Sequence, residues 1–224
     1  MGLIRTGPPE NLILKLAQQE PLGAFIETGT CHGETAAWAA RHFPRVHTIE
    51  FSRELYEQTR QRHSALTNVE FIFGDCRTEL PKILSREPGL SLFWLDAHWS
   101  GSVTYGDGDE CPLMQELEIL AGTGREALVF IDDARCFLSP PVHPHRPSFW
   151  PAIDEVCAAL LRLRVGYVVV FEDVIIAVPD RFKALVQQHC QDESTRAWKA
   201  RKKESAIAHF RRGLRCLFRL PSAP

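Results

Sequence analysis

Two aspartates stand side by side at the end of an apolar run in "VFIDDARCF", residues 129–137. Like charges at that spacing repel unless something positive sits beside them. A second apolar run ends in "FWLDAHWSG", which offers Asp96 and His98. If the two runs are neighbouring strands, Asp96, Asp132 and Asp133 converge on one rim. Three carboxylates can hold a hard divalent cation, with water completing the octahedron, and the cation lets all three stay ionised. The alternative is that Asp132 and Asp133 cap a helix or pair with an arginine such as Arg135. A bound Mg²⁺ or Mn²⁺ stabilises an alkoxide developing on a substrate hydroxyl, and oxygen ligands suit both ions. Asp96 or His98 could then accept the proton. The unperturbed imidazole, with a pKa of about 6.5, is the better match, although a loop histidine can equally be a surface residue. Glu110 is an additional candidate ligand, and His143 and His145 are further ones.

A second group of residues surrounds a turn. "FIETGTCHGET" ends an apolar run at Gly29 and reaches Gly33 four residues later. Glycines there permit close backbone approach and a tight entry into a helix. Glu27 brings a carboxylate to the edge of the turn. The next apolar run ends in Glu50, about 20 residues after the glycines, where an acid can hold ribose hydroxyls. A third ends in "GDC", with Asp75 on the same rim. The turn lacks the G-x-G-x-x-G spacing of a dinucleotide site and the lysine of a phosphate-binding loop. A carboxylate in the turn suits a cationic ligand better than a pyrophosphate. A glycine turn that merely joins strand to helix is the alternative.

These residues need a scaffold that brings strand ends together. Strand patterns at 24–29, 45–50, 69–75, 91–97 and 127–133 alternate with helical patterns at 34–43, 53–66, 78–85, 112–122 and 149–164. Short, nearly continuous apolar strands imply a mostly parallel sheet covered by helices on both faces. "YVVVF" and "VIIAV" then flank Glu172 and Asp173, a tight hairpin at the edge of the sheet. Residues 1–20 are expected to form a short covering helix. In such sheets ligands bind beyond the carboxyl ends of the strands, near the switch point.

"ETGTCHG", followed by Glu50 and "GD", resembles the class I S-adenosylmethionine-dependent methyltransferases. Their first motif is E-x-G-x-G-x-G, and their Rossmann-like, doubly wound seven-stranded sheet ends in an antiparallel hairpin. The resemblance covers about residues 20–179. It implies that Glu27, Gly29, Thr30 and Gly33 cradle the methionine part of the cofactor, that Glu50 holds the ribose, and that Asp75 lies near the adenine. Cys31 stands where the middle glycine is expected, so the loop should take a somewhat different shape. Within that family the chain looks most like the metal-dependent macrocin O-methyltransferase type. That group shares E-x-G-x-x-x-G, a leucine-proline after the third strand (here "TELPKIL"), and Asp-Ala and Asp-Asp as magnesium ligands, here Asp96 and Asp132–Asp133. The implied reaction is methyl transfer to a hydroxyl of a small molecule or saccharide. A metal-independent methyltransferase with His98 as base, and a non-enzymatic module of the same fold, remain open.

Two loops would cover the site. One is 98–111, with Gly101, Gly106 and Gly108. The other is "SPPVHPHRPSFWP", 139–151, whose His143, His145, Arg146 and Trp150 could face a sugar or polyol or simply build a rigid surface loop.

The totals exclude several classes. The chain has 224 residues, enough for one domain with a substantial core. No apolar run approaches the ~20 residues of a membrane span, and no signal peptide is read at the N-terminus. "MGLIRT" formally matches a myristoylation pattern through Gly2 and Thr6. The seven cysteines form no C-x-x-C, which argues for reduced thiols and a cytoplasmic protein. The net charge of −2 hides an asymmetry. Residues 180–224 carry 11 Lys and Arg against 4 Asp and Glu, leaving 15 against 24 in the body, 1–179. The acidic body gives no basic groove for specific nucleic-acid binding. The basic extension reads as helical, with Ile207, Phe210, Leu214, Leu217 and Phe218 on one stripe and Arg211, Arg212, Arg215 and Arg219 largely opposite. Such a helix can lie on an anionic membrane, contact an acidic partner, or pack its stripe on the body or in a homo-oligomer.

Overall fold

A computed structural model describes residues 7–99 and 108–217, with side chains as far as 203. Gly2 and Thr6, Gly101 and Gly106, and Phe218 and Arg219 lie outside the described residues, as do the side chains of the 207–217 stripe. Two units are resolved by their internal contacts, Met1–Lys183 and Ala184–Pro224.

The first unit contains a seven-stranded sheet. Its strands are β1 (Ala24–Thr28), β2 (Val46–Glu50), β3 (Val69–Phe73), β4 (Ser91–Leu95), β5 (Leu128–Ile131), β6 (Tyr167–Phe171) and β7 (Val174–Val178). The order across the sheet is β3-β2-β1-β4-β5-β7-β6. The first five strands run parallel, and β7 is antiparallel to both β5 and β6. The β6–β7 hairpin closes through Glu172 and Asp173, both with left-handed backbone (φ 47° and 70°), the geometry that matches strand twist in a two-residue loop. The helices are α1 (Glu10–Gln19), α2 (Glu34–Ala39), α3 (Arg53–Arg62), α4 (Cys76–Arg86), α5 (Leu113–Gly122), the single turn α6 (Arg135–Leu138), α7 (Ile153–Leu160) and α8 (Lys183–Leu217).

All residues of β1, β2, β4, β5 and β7 are buried, while β3 and the edge strand β6 are largely half-exposed. That explains why the inner strands read as continuous apolar runs. Alternation along each strand feeds two cores. One contains Ile26, Phe93, Leu95, Val129 and Ile131 with Leu80 and Ile83 of α4, Leu117 and Leu120 of α5 and Leu160 of α7. On the opposite side Phe25 packs on Trp38 and Phe43, with ring centroids 6.0 and 5.2 Å away. Arg181, just past β7, forms ion pairs with Glu20 at the end of α1 and with Glu126 before β5.

The second unit is the continuation of α8. Lys199, Arg201, Lys202 and Lys203 are exposed there. Trp198 is exposed too, with the Lys202 ammonium 5.0 Å from its ring centroid. Among the described residues no helix is long and apolar enough to cross a membrane.

Candidate functional site

Strand register assembles the rim. Thr28 pairs with Leu95 and Leu95 with Ile131, so Gly29, Asp96 and Asp132 leave three adjacent strands at the same level. The ladder continues one step beyond the strands. Asp96 donates its N–H to the Thr28 carbonyl (3.0 Å), Asp132 to that of Leu95 (3.1 Å), and Gly29 to that of Ile49 (2.9 Å). The chain reverses direction across the sheet between β1 and β4, so the rim sits at the switch point.

Gly29 is required here. Its φ is +88°, and an added Cβ would stand 2.4 Å from the Asp96 carbonyl oxygen. Cys31, in the middle-glycine position, itself takes a left-handed conformation (φ 48°). The turn is thus held in a backbone that favours glycine, at a strain of roughly 1–2 kcal/mol. Two side-chain contacts hold it: the Cys31 N–H donates to Glu50 Oε2 (2.9 Å), and its carbonyl accepts from Thr59 Oγ1 (2.7 Å). Gly33 forms the entry to α2 with φ +79°, and a Cβ there would collide with Thr59.

The acids of the first three strands take different places. Glu50 also accepts from the Ser52 N–H (2.8 Å), and burial holds its carboxyl above the usual range despite these backbone donors. Glu27 is almost wholly buried. It accepts from Thr48 Oγ1, which is also 2.6 Å from Thr30 Oγ1. Burial, with the charges of Asp96 and Glu50 adding, pushes it up to about 8. Asp75 caps α4 by accepting from the Arg77 N–H (2.9 Å) and is ion-paired to the Arg77 guanidinium (2.7 Å). Its neighbours Gly74 and Cys76, not Asp75 itself, line the cleft described below.

The positive partner of the aspartates comes from the chain itself. His98 lies between strand ends, with Nδ1 3.2 Å from Asp96 Oδ1 and Nε2 3.0 Å from Asp133 Oδ2. Arg135 Nη1 is 2.7 Å from the other Asp133 oxygen and also binds Asp173 in the β6–β7 turn. Burial pulls the His98 imidazole down, but hydrogen bonds and charge from Asp133 and Asp96 overcome it and push it up to about 10. Asp133 is held below the usual carboxylate range, because His98 and Arg135 outweigh its burial. Asp132 faces the opposite balance. Its Oδ1 accepts the Asp133 N–H (2.8 Å), while burial and the charges of Asp96 and Asp133 push it up to about 8. Asp96 is also raised by burial, against the pull of His98. The expectation of an imidazole near its unperturbed value therefore fails for a geometric reason: both ring nitrogens face carboxylates. Among the described residues no group of three or more His, Cys, Asp and Glu side chains is arranged to hold a metal ion.

Glu110, His145 and Trp150 form a separate cluster. Glu110 directs its oxygens to the Arg146 N–H, the Trp150 indole N–H and His145 rather than to the aspartates. Trp150 is buried rather than presented to a ligand, and His143 is exposed.

Two clefts meet at the rim. One, of about 250 Å³, runs from Ile49, Glu50, Phe51, Leu55, Gly74 and Cys76 to Asp96, His98, Asp132 and Asp133. The other, of about 530 Å³, lies towards Glu10, Glu27, Thr30, Glu34 and Trp38. They share Gly29, Cys31, Asp96, Asp132 and Asp133. Phe51 and Leu55 in the first cleft, and Glu10, Glu34 and Trp38 in the second, were not foreseen from sequence. Phe51 carried a signal, as an apolar residue directly after a strand-terminal acid; Glu10 and Glu34 carried none.

No protein-family model and no curated protein matches this chain. Solved structures do. The O-methyltransferase TomG from Streptomyces achromogenes, involved in tomaymycin synthesis and determined with SAM, superposes with a TM-score of 0.53 at 18% identity, over 79% of this chain and 82% of that one. The chain shares the fold of that structure. The Bacillus cereus O-methyltransferase in complex with SAH matches at 0.53 and 17% identity, covering 78% and 82%. The SAH-bound Podospora anserina methyltransferase PaMTH1 matches at 0.54 and 17%, covering 78% and 80%.

Proposed function

We propose that the protein is an S-adenosylmethionine-dependent methyltransferase acting on a hydroxyl of a small molecule or saccharide. The observation that carries this reading is the pair of clefts meeting at one rim of titratable groups, beside a left-handed turn braced by Glu50. One cleft can take the methyl donor and the other the acceptor, with the shared residues Gly29, Asp96, Asp132 and Asp133 between them. Both carboxylate oxygens of Glu50 accept a backbone N–H, and each retains acceptor capacity for a ribose hydroxyl. Gly29, Thr30 and Gly33 shape the turn that would hold the methionine part; Glu27 lies beneath it. Asp75 supports the adenine end through the α4 cap.

When bound, the cofactor supplies a methyl group on a cationic sulfur; the carboxyls of Glu27, Asp96 and Asp132 at the rim are held above the usual range chiefly by burial. His98 keeps Asp96 and Asp133 fixed and, as an imidazolium near neutral pH, offers a proton rather than takes one. The proton acceptor on the rim is then Asp132, whose value of about 8 suits a general base near neutrality.

A metal-assisted version would draw on Asp96, Asp132 and Asp133, which line both clefts, although among the described residues no such group is arranged to hold an ion. Their hard oxygens suit Mg²⁺ or Mn²⁺. A cation held by all three would require these side chains to rearrange, and would stabilise an acceptor alkoxide.

The test is transfer of radiolabelled methyl from SAM to a panel of sugars, polyols and catechols, run with EDTA and with magnesium. Transfer in EDTA supports the His98–Asp132 version, and transfer only with magnesium supports the metal. No transfer under any condition, with SAM bound, removes the hydroxyl-acceptor reading.

A further inference from the structure

Glu110 belongs to neither cleft, yet it is a carboxylate only 2% exposed. Burying such a group is unfavourable unless its lone pairs are satisfied, and here they are taken by one short stretch of chain. The Arg146 N–H lies 3.0 and 3.1 Å from its two oxygens, Trp150 Nε1 lies 2.9 Å from Oε2, and His145 Nδ1 lies 3.3 Å from the same oxygen. The Glu110 carbonyl in turn accepts the Trp99 N–H (2.8 Å). One residue thus joins the end of the β4 segment to the proline-rich segment 139–151.

The indole that Glu110 holds packs against the rim. The Trp150 ring lies 5.4 Å from the His98 ring at 63°, an edge-to-face arrangement, with Phe137 behind it at 5.6 Å. His98 is the group that spans Asp96 and Asp133. An imidazole bound only at its two nitrogens can still tilt about the line joining them. A ring packed on its face or edge removes that freedom, and such aromatic pairs have a preferred geometry. The hydrogen bond to Glu110 fixes which way the indole points.

From these contacts we infer that Glu110 is a positioning residue: acting through Trp150, it holds the His98 ring in the plane that spans Asp96 and Asp133. The catalytic use of His98 rests on the methyl-transfer reading; the mechanical link does not.

The test uses the full-length chain and the variants Glu110→Gln and Trp150→Phe. Glutamine keeps the shape, but with its oxygen turned to Trp150 and His145 its amine faces the Arg146 N–H, so the charge and the acceptor at Oε1 are lost and the 145–150 segment is displaced. The readouts are the Trp150 indole N–H resonance and the His98 Cε1–H resonance at fixed pH, each assigned by its loss on substitution. Expected is that Glu110→Gln moves both, while the SAM dissociation constant stays within about twofold. In Trp150→Phe, which keeps a ring but loses the donor, the His98 resonance moves again. A His98 resonance unmoved in Glu110→Gln overturns the proposal, whatever the indole does. With an acceptor in hand, Glu110→Gln lowers kcat about tenfold in the wild-type background and not at all beside His98→Ala, the non-additivity of residues acting as one unit. Equal losses in both backgrounds overturn it too. Failure of the methyl-transfer reading shows separately, as a wild-type chain that binds no SAM while the two resonances still report the link.

Discussion

Replacing Asp133 by asparagine isolates what holds His98 charged. The carboxamide can still accept from Nε2, now 3.0 Å from Asp133 Oδ2, so the geometry is largely kept while one full charge is removed. A close opposite charge shifts a titratable group by about 1–3 units. The imidazole now lies at about 10, with Asp96 and Asp133 both raising it against burial. In Asp133→Asn it should fall to roughly 7–9, close enough to neutrality for a large fraction to be unprotonated at pH 8. Asp96 remains 3.2 Å from Nδ1 and prevents a complete return to the ordinary value. The assay is an NMR titration of the His98 Cε1–H resonance in EDTA, assigned with His98→Gln. A wild-type midpoint near 6.5, or a midpoint unchanged within a few tenths in Asp133→Asn, would refute the picture of an imidazolium clamped between two carboxylates.

Other outcomes follow from the same geometry. Glu27, Asp132 and His98 all have folded values raised above their unfolded ones, to about 8, 8 and 10. Each therefore binds more proton in the folded state, and the stability it contributes is lost as pH rises through that value. Thermal melts should show a fall in Tm from pH 5.5 to pH 9; a rise across that range contradicts the raised values. Cys31→Gly relieves a left-handed backbone at an exposed residue but adds chain entropy to the unfolded state, so urea unfolding should find it neutral to about 1 kcal/mol more stable. A loss above ~1 kcal/mol would show that the turn is not left-handed. Gly29→Ala places a Cβ 2.4 Å from a backbone oxygen at φ +88°. It should cost more than ~2 kcal/mol of stability or abolish SAM binding, and a variant normal in both respects refutes the close approach of β1 and β4.

The sheet was legible because its inner strands are buried on both faces. Leu92 to Leu95 and Leu128 to Ile131 are all nearly inaccessible, and the continuous apolar runs in the sequence reflect that directly. Each strand-ending acid was legible for the same reason, since a charge marks where burial stops. The partners of those acids were harder to read. His98 lies two residues from Asp96 but 35 from Asp133, and only the β4–β5 register brings the latter within 3.0 Å. The pairing of Asp133 with Arg135 was anticipated as an alternative, whereas Asp173, which competes for the same guanidinium, sits in a hairpin that was expected at the sheet edge but not assigned a partner for its turn residues. Asp75 shows the reverse case. An aspartate just before a helix is a ready N-cap, and that local use accounts for its carboxylate more simply than a ligand does. Cys31 was expected to reshape the turn; the bracing from Glu50 and Thr59 instead holds it in glycine-like backbone.

The central claim is that the cleft beside Glu50 takes S-adenosylmethionine. Isothermal calorimetry of the full chain with SAM, in EDTA and in magnesium, tests it most directly. The account predicts micromolar binding in at least one condition, weakened at least about tenfold in Glu50→Ala, where the brace on Cys31 and the ribose acceptor are lost together. A correctly folded wild-type chain that takes up no SAM in either condition would contradict it.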